Sequence, residues 1–248
     1  MKSRTARALA AALALGGLLL ALTACNGSQA ESQVETADVV QQVPWGTNET
    51  ARYRILRGGE VTGSATLTVA REGGVFTVRQ EFRDARERFR DVVTATVDAA
   101  TLKPRAVERV LTGPEGERRC RAEYEGGRVR VHQESDDESR TDELVVPAHA
   151  YDSWTDIFLW RTMGLDRGAS FAYWDIGTCI LSKPGSAIMQ VTVVTKEFVT
   201  VPGGGFDAWR LEARSDGQRH LIWIADTPQR PVVRYDNGTH LFELQELR

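Results

Sequence analysis

The sequence predicts a mainly β domain of short antiparallel strands with one aromatic helix. Apolar and polar residues alternate through most of the chain after residue 48, as in EVTGSATLTVA at 60–70. Glycine pairs and other turn signals interrupt this alternation about every 8 to 12 residues, the spacing of strands in an antiparallel meander. One stretch, 148–163, instead places its aromatic residues at helical spacing. The alternation with Arg and Glu indicates a sheet with one face in water.

In the first half of the chain, tight turns separate successive strands. Gly58-Gly59, Gly73-Gly74 and Gly126-Gly127 mark three of these turns. Such short connections join antiparallel neighbours. The predicted strands are 49–57, 60–70, 75–82, 91–98, 103–112, 117–125 and 128–134.

The helix is predicted for AHAYDSWTDIFLWRTM at 148–163. Pro147 precedes it and Gly164 follows it, as expected at helix ends. Strands resume afterwards, and two hairpin turns follow at 215–217 (SDG) and 236–238 (DNG). The predicted strands of this half are 170–176, 186–201, 206–214, 218–226, 231–236 and 239–247.

The N-terminus has the pattern of an export signal. Three basic residues in MKSRTAR precede an uncharged apolar run from Ala8 to Leu22, which is shorter than a membrane-spanning helix. The following Leu22-Thr23-Ala24-Cys25 resembles the lipobox of bacterial lipoproteins, in which a diacylglycerol is joined to the cysteine and the chain is cut before it. The alternative is ordinary secretion with an incidental cysteine. We expect residues 1–24 to be a lipoprotein signal peptide and Cys25 to be the lipid attachment site.

The remainder divides into a tether and a domain. Residues 25–44 are polar without an apolar period, which predicts a lipidated flexible tether, and 45–248 form a single β-rich domain. Removing 1–24 leaves 28 Lys and Arg against 34 Asp and Glu, a formal charge of −6. An acidic balance argues against a nucleic-acid partner. The predicted location is the cell envelope, lipid-anchored on the extracytoplasmic side, at the outer membrane or the outer face of the plasma membrane.

Cys120 and Cys179 remain once Cys25 is assigned to the lipid. An even pair in an exported chain is read as a disulfide, although two free thiols that never meet are the alternative. A bond would close a loop of about 60 residues and stabilise the fold by about 4 kcal/mol.

No motif in the chain specifies a reaction. His149, Asp152 and Ser153 are residue types found in a catalytic triad, but a single helix does not supply triad geometry. The four histidines are scattered and lack metal-ligand spacing. We therefore predict no catalytic residue, no metal and no cofactor.

Aromatic residues are the remaining signal for a binding site. They could line a ligand groove, or they could be the core between helix and sheet. Arg161 could bond the last helix carbonyls, pair with Asp226, or meet an anionic headgroup at the groove mouth. The candidate groove residues are Tyr151, Trp154, Phe158, Arg161, Trp209 and Trp223.

The domain also resembles a family of exported bacterial proteins known only as a domain of unknown function. The shared features are an aromatic helix ending in Arg and followed by Gly, a strand with a Pro-x-Gly-x-Phe turn, and a hairpin near the C-terminus. The matching residues are Trp154, Arg161, Gly168, Pro202, Gly205, Phe206, Trp223, Asp226, Arg230, Pro231 and Arg234. The resemblance implies a long curved antiparallel sheet or open barrel with the helix against its concave face, similar in outline to lipoprotein-carrier folds. It implies no reaction.

Two functions remain as hypotheses. The first is a non-enzymatic lipoprotein that binds or carries an apolar or glycan ligand in a groove of the curved sheet. The second is a structural envelope protein that docks a protein partner and binds no small ligand.

Overall fold

The computed structural model describes residues 34–248. Its strands belong to a single sheet. They are β1 (Asn48–Arg57), β2 (Glu60–Glu72), β3 (Val75–Asp84), β4 (Arg90–Asp98), β5 (Pro104–Gly113), β6 (Gly116–Glu125), β7 (Arg128–Glu134), β8 (Ser139–Val145), β9 (Ala150–Asp152), β10 (Ser170–Gly177), β11 (Gly185–Val201), β12 (Gly204–Ser215), β13 (Gln218–Ala225), β14 (Val232–Asp236) and β15 (Leu241–Leu247).

The sheet grows outward from the pairing of its first and last strands. Its order is β8-β7-β6-β5-β4-β3-β2-β1-β15-β14-β13-β12-β11-β10-β9. All neighbours are antiparallel except β9 and β10, which are parallel. The sheet is strongly curved and does not close, so the mainly β, curved-sheet prediction is confirmed. Every predicted strand corresponds to an observed one, whereas β8 and β9 were not predicted.

Period-two alternation gives the sheet an apolar concave face. Ala51 on β1 lies opposite Leu67 on β2, which lies opposite Gln80 on β3, and Gln80 lies opposite Val93 on β4. All of these residues are buried. The convex face carries ion pairs instead, such as Arg54 with Glu243 at 2.6 Å. Successive residues of a strand point to opposite faces, which explains how one sequence supplies both surfaces.

The helix is shorter than predicted. Residues 153–162 form a 3-10 turn (Ser153–Thr155), one α-helical turn, α1 (Asp156–Leu159), and a second 3-10 turn (Trp160–Thr162). The first residues of the predicted helix instead form β9, which pairs with β10 at the sheet edge. The Asp152 carboxylate accepts a hydrogen bond from the Trp154 backbone N–H at 3.0 Å and so caps the helical segment. This segment, 153–162, lies against the concave face.

Side chains link the two ends of the sheet where backbone pairing stops. Cys120 on β6 and Cys179 after β10 form the predicted disulfide, with Cα atoms 5.6 Å apart. The Tyr124 hydroxyl of β6 donates to Asp152 of β9 at 2.6 Å. The Lys103 ammonium donates to the Ala150 carbonyl at 3.4 Å. These contacts join the β9–β10 end of the curved sheet to β6 and to Lys103, which precedes β5.

Part of the predicted flexible tether, 25–44, packs against the domain. The Ala37 N–H donates to the Ala172 carbonyl at 2.9 Å, and the Gln41 N–H donates to the Thr162 carbonyl at 3.1 Å. Val39 is buried in the core. Because these contacts fix 37–41 on the domain, the packed domain begins before Trp45. Residues 25–33 and the predicted signal peptide lie outside the described residues.

Candidate functional site

A cavity of about 270 Å3 lies between the helical segment and the concave face of the sheet. Most of its walls are aromatic or aliphatic, and a few polar side chains lie among them. The aromatic and aliphatic residues are Tyr53, Leu67, Phe82, Trp154, Ile157, Trp160, Met189, Tyr235 and Phe242. The polar residues are Gln80, Ser153, Asp156, Asp175, Gln218, His220 and Asn237. An apolar cavity with a few convergent polar groups is the usual form of a small-molecule site.

The sheet supplies one wall through strand alternation. Gln80 and Phe82 lie two residues apart on β3, so both side chains face the cavity. The Gln80 side-chain amide donates to the Trp154 carbonyl. That bond fixes the start of the helical segment over the sheet and leaves the cavity beside it.

A hydrogen-bonded chain forms the floor. The Trp160 indole N–H donates to the Tyr173 hydroxyl at 3.1 Å, and that hydroxyl donates to Asp156 Oδ1 at 2.7 Å. Trp160, Tyr173 and Asp156 are all buried. A buried hydrogen-bonded network of this kind holds its side chains in one arrangement. The floor is therefore preformed.

The opposite wall is an aromatic stack. The rings of His220 and Tyr235 are nearly parallel with centroids 5.8 Å apart, and His220 Nδ1 lies 2.9 Å from the Tyr235 hydroxyl. Tyr235 contacts Trp160, with centroids 5.8 Å apart, and Phe242, with centroids 5.4 Å apart. Desolvation lowers the pKa of His220, which favours its neutral form. The stack lines the cavity with aromatic rings and one imidazole.

Two buried aspartates, Asp152 and Asp156, and the half-buried Asp175 lie in and beside the cavity. Asp152 accepts hydrogen bonds from the Tyr124 hydroxyl at 2.6 Å and the Thr178 hydroxyl at 2.7 Å, yet burial raises its pKa to about 6. Burial, followed by the charge on Asp175, raises the pKa of Asp156 well above its usual range. Burial, followed by the charge on Asp152, raises the pKa of Asp175 to about 7. The aspartates lie near enough for their charges to interact.

Of the predicted groove residues on the helical side, only Trp154 lines this cavity. Tyr151 is fully buried and its hydroxyl donates to Asp38 at 3.3 Å. Phe158 is buried against the Trp45 ring, with centroids 6.2 Å apart. Tyr151 and Phe158 therefore belong to the core.

Arg161 is also buried, and its partner is not Asp226. Its guanidinium donates to both carboxylate oxygens of Glu49, at 2.6 and 2.8 Å. Asp226 instead pairs with Lys196 at 2.5 Å. Of the three alternatives considered for Arg161, pairing with Asp226 is not observed, because the concave side of β1 brings Glu49 to the end of the helical segment.

The two strand tryptophans lie away from the cavity. The Lys196 ammonium lies 5.8 Å from the centre of the Trp209 ring. The Trp223 indole N–H donates to Glu197, and the Arg234 guanidinium lies 5.7 Å from its ring. Both rings are thus held by contacts with charged side chains of the β11–β14 region.

A second depression, of about 320 Å3, lies beside the disulfide. Its walls mix Arg118, Arg119 and Arg140 with Glu134 and Asp137. Because cations and anions are interspersed, this surface shows no net charge preference for a ligand. The cavity under the helical segment is the better candidate.

Sequence reasoning did not find Asp156, Asp175 or His220 as site residues. Asp156 lies four residues after Asp152 in an otherwise aromatic helix, and Asp175 stands between Trp174 and Ile176 in a predicted strand. Acidic residues within apolar segments are the signal that points to them, because buried carboxylates need a special environment.

Within 34–248, no group of three His, Cys, Asp or Glu side chains is arranged to hold a metal ion. No helix in the same range is long and apolar enough to cross a membrane.

Comparison with known proteins places the fold. A family model described as "protein of unknown function (DUF3108)" matches residues 50–244. Among curated proteins, none matches the chain. A β-barrel-like protein of domain of unknown function DUF1849 from Brucella abortus is 13% identical, with a TM-score of 0.54, covering 81% of this chain and 97% of its own. This likeness is one of fold.

Two further solved structures are similar in outline. A DUF1089 family protein from Pseudomonas aeruginosa is 14% identical, with a TM-score of 0.42, covering 74% of this chain and 93% of its own. A protein described as exported, with a YmcC-like fold, from Bacteroides fragilis is 11% identical, with a TM-score of 0.35, covering 86% of this chain and 100% of its own.

Proposed function

Because the chain belongs to the DUF3108 family, whose description assigns no activity, we propose a function from the site itself. The protein is a non-enzymatic, exported binding lipoprotein that holds a small, largely apolar ligand between its helical segment and the concave sheet. The supporting observation is the 270 Å3 cavity, whose walls are aromatic and whose floor is a hydrogen-bonded chain.

The cavity size limits the ligand. Its volume lies just below the range of about 300 to 1,000 Å3 that holds drug-sized ligands. The cavity therefore suits a small apolar molecule or a single sugar ring better than several acyl chains. Ring faces of Trp160 and Tyr235 would contact the apolar surface of either ligand. This narrows the expected apolar or glycan ligand to a compact one.

The lipid anchor is the second part of the proposal. The apolar run from Ala8 to Leu22 and the lipobox-like Leu22-Thr23-Ala24-Cys25 support it. A diacylglycerol on Cys25 would hold the binding domain at the extracytoplasmic surface, since two acyl chains give stable attachment.

A docking function is the alternative, and one observation favours it. β8 ends the sheet, and Val145 at its end is 65% exposed. An unpaired edge strand can accept a strand from a partner. Charged side chains along β8, such as Arg140 and Asp142, work against such pairing.

The experiment is purification from native membranes under mild conditions, followed by mass spectrometry of the intact protein and of its extract. Three forms are compared: the wild type, Ile157→Trp, and Leu221→Trp. Ile157 lines the cavity, so the larger indole fills it. Leu221 neighbours His220 on β13 and faces the other side of the sheet, so it is the matched control.

We expect a molecule of defined mass with the wild type and with Leu221→Trp, and none with Ile157→Trp. Thermal unfolding of all three forms verifies that each is folded. If the folded wild type carries no small molecule and binds none added, the docking function is the better account.

A further inference from the structure

The cavity contains acidic groups without a compensating cation. Within the described residues, Asp152, Asp156 and Asp175 form no ion pair with Lys, Arg or His. The Arg109 guanidinium lies 4.8 Å from the centre of the Trp154 ring. It already donates hydrogen bonds to both carboxylate oxygens of Asp91, at 2.9 and 2.7 Å, and to the Cys179 carbonyl at 2.8 Å. Within the described residues, these three carboxyl groups are thus left without a cationic partner.

Two of the three aspartates keep oxygen atoms available. Asp152 is fully used, since it caps the helical segment and accepts two hydroxyl hydrogen bonds. Asp156 is 7% exposed and lines the cavity, and its Oδ2 accepts no hydrogen bond from residues 34–248. Asp175 also lines the cavity, and its Oδ1 is shielded from solvent without a partner in that range. Buried acceptors without donors are rare in proteins.

A buried donor on the same cavity is unpartnered as well. The Trp154 indole N–H is shielded from solvent and donates to no atom of residues 34–248. Trp154 lines the cavity on the helical side, as Asp156 does. The protein therefore leaves one buried acceptor, Asp175 Oδ1, and one buried donor, the Trp154 indole N–H, unsatisfied on the same cavity. Leaving them unsatisfied is costly unless a ligand supplies the missing groups.

The surrounding rings favour a positive charge on that ligand. Aromatic faces attract cations through their quadrupole, and Trp is the strongest of these side chains. Trp160, Tyr235 and Phe242 lie on the cavity wall. His220 does not balance the aspartates, since its burial favours the neutral imidazole. Because no three ligating side chains of 34–248 can surround a metal ion, the geometry favours an organic cation.

We propose that the cavity binds a small organic cation, a protonated amine on a compact apolar body. The ammonium donates to Asp156 and Asp175, and the apolar body packs against Trp160 and Tyr235. A hydrogen-bond acceptor on the same molecule would accept a hydrogen bond from the Trp154 indole N–H. This inference rests on the proposed binding function and names its ligand class.

Three probes of the same size separate charge from shape. They are 2-phenylethylamine, 2-phenylethanol and phenylacetate, which are a cation, a neutral molecule and an anion at neutral pH. Titration calorimetry with wild-type protein should show the amine binding about tenfold or more tightly than the alcohol, because charge-assisted hydrogen bonds are the stronger ones. Phenylacetate should bind more weakly than the alcohol.

Two isosteric variants locate the effect. Asp156→Asn keeps an acceptor for the Tyr173 hydroxyl, and Asp175→Asn keeps the shape of the side chain while removing its charge. Each should reduce amine affinity about tenfold and leave alcohol affinity nearly unchanged. Asp207→Asn removes an exposed carboxylate outside the cavity and should leave both affinities unchanged.

The outcomes distinguish the two proposals. If the amine and the alcohol bind wild-type protein equally, the amine proposal is wrong while the binding function stands. If all three probes fail to bind and no molecule co-purifies, both are wrong. If an Asn variant does not fold, the affinities of the three probes for wild-type protein still decide whether the cavity prefers the amine.

Discussion

Arg161 and Glu49 form a bidentate ion pair that joins the helical segment to β1. Their side chains are only 4% and 9% exposed. The same guanidinium donates to the carbonyls of Gln229 and Arg230 at 2.8 Å each, and it lies 4.8 Å from the Trp45 ring. One side chain therefore connects the helical segment, the first strand and the turn between β13 and β14. Since Arg161 is fully used in these contacts, it is not available to a ligand.

Replacing Arg161 should destabilise the fold strongly. Arg161→Met leaves the Glu49 carboxylate buried and unpaired, and we expect a loss of about 3 to 5 kcal/mol in the free energy of unfolding. Urea denaturation followed by tryptophan fluorescence measures this loss. The double variant Arg161→Met/Glu49→Leu should recover part of it, because no lone charge remains buried.

An exposed ion pair between β1 and β15 is the control. Arg52 and Glu246 approach to 3.5 Å with side chains 55% and 36% exposed. Arg52→Met should change the free energy of unfolding by less than about 1 kcal/mol. Equal losses for Arg52→Met and Arg161→Met would contradict the role given to the buried pair.

The Arg161–Glu49 pair shows what the sequence could and could not predict. The strands followed from period two, and the hairpins from glycine and Asn-Gly turns, because both depend on neighbouring residues. Glu49 lies 112 residues before Arg161, and no local pattern specifies such a contact. Arg161 was recognised as unusual, but its partner depended on the curvature of the whole sheet.

The site was less predictable than the fold for the same reason. The aromatic residues of 148–163 were recognised as candidates, yet only a three-dimensional sheet decides which of them face a cavity. Tyr151 lies in a strand and Phe158 lies in the core, whereas Trp154 lines the cavity. β8 was missed because SRTDELV at 139–145 is mostly polar and lacks a clear apolar period.

Removing the disulfide should lower stability without changing the fold. Its cysteines are 59 residues apart, and a loop of this length corresponds to about 4 kcal/mol in the chain-entropy model. We expect this loss in urea denaturation of Cys120→Ala/Cys179→Ala. The Arg109 and Gln133 side chains still bond the carbonyls of Cys179 and Ile180, which keeps this segment on the sheet.

A reductant is the control for the disulfide. Dithiothreitol should lower the stability of wild-type protein toward that of the double variant and leave the double variant unchanged. Wild-type stability that is unaffected by complete reduction, verified by thiol alkylation, would show that the bond contributes nothing.

The proposed lipid anchor predicts a defined chemical change. Cys25→Ser removes the thiol that accepts the diacylglycerol, so the chain should keep its N-terminal segment and lack acyl mass. Mass spectrometry of the N-terminal peptide and membrane fractionation of the expressing cells measure both effects. Ser28→Ala, a short distance further along the chain, should be processed like wild type. Unchanged processing and membrane retention of Cys25→Ser would instead indicate ordinary secretion.

Asp175→Asn should stabilise the protein at high pH and not at low pH. Burial raises the pKa of Asp175 from 3.8 to about 7, so the folded state holds a proton that the unfolded state releases between these values. The cost to stability is absent below the lower value, grows as the pH rises through this window, and is constant above it. At pH 8 the free energy of unfolding of the variant should exceed that of the wild type by up to roughly 4 kcal/mol, since each pKa unit corresponds to about 1.4 kcal/mol.

The difference between variant and wild type reports Asp175 together with Asp152 and Asp156, whose charges interact with it. His220, whose lowered pKa costs stability as the pH falls below its usual 6.5, is present in both proteins and cancels. Asp207→Asn, which removes an exposed carboxylate, should show no such pH dependence. A stability difference between Asp175→Asn and wild type that stays constant from pH 4 to pH 8 would show that Asp175 is not strained by burial. If this stability difference disappears toward pH 4, the ionised Asp175 carboxylate destabilises the folded protein. Such a cost is expected of a residue that is kept at the cavity to bind a ligand.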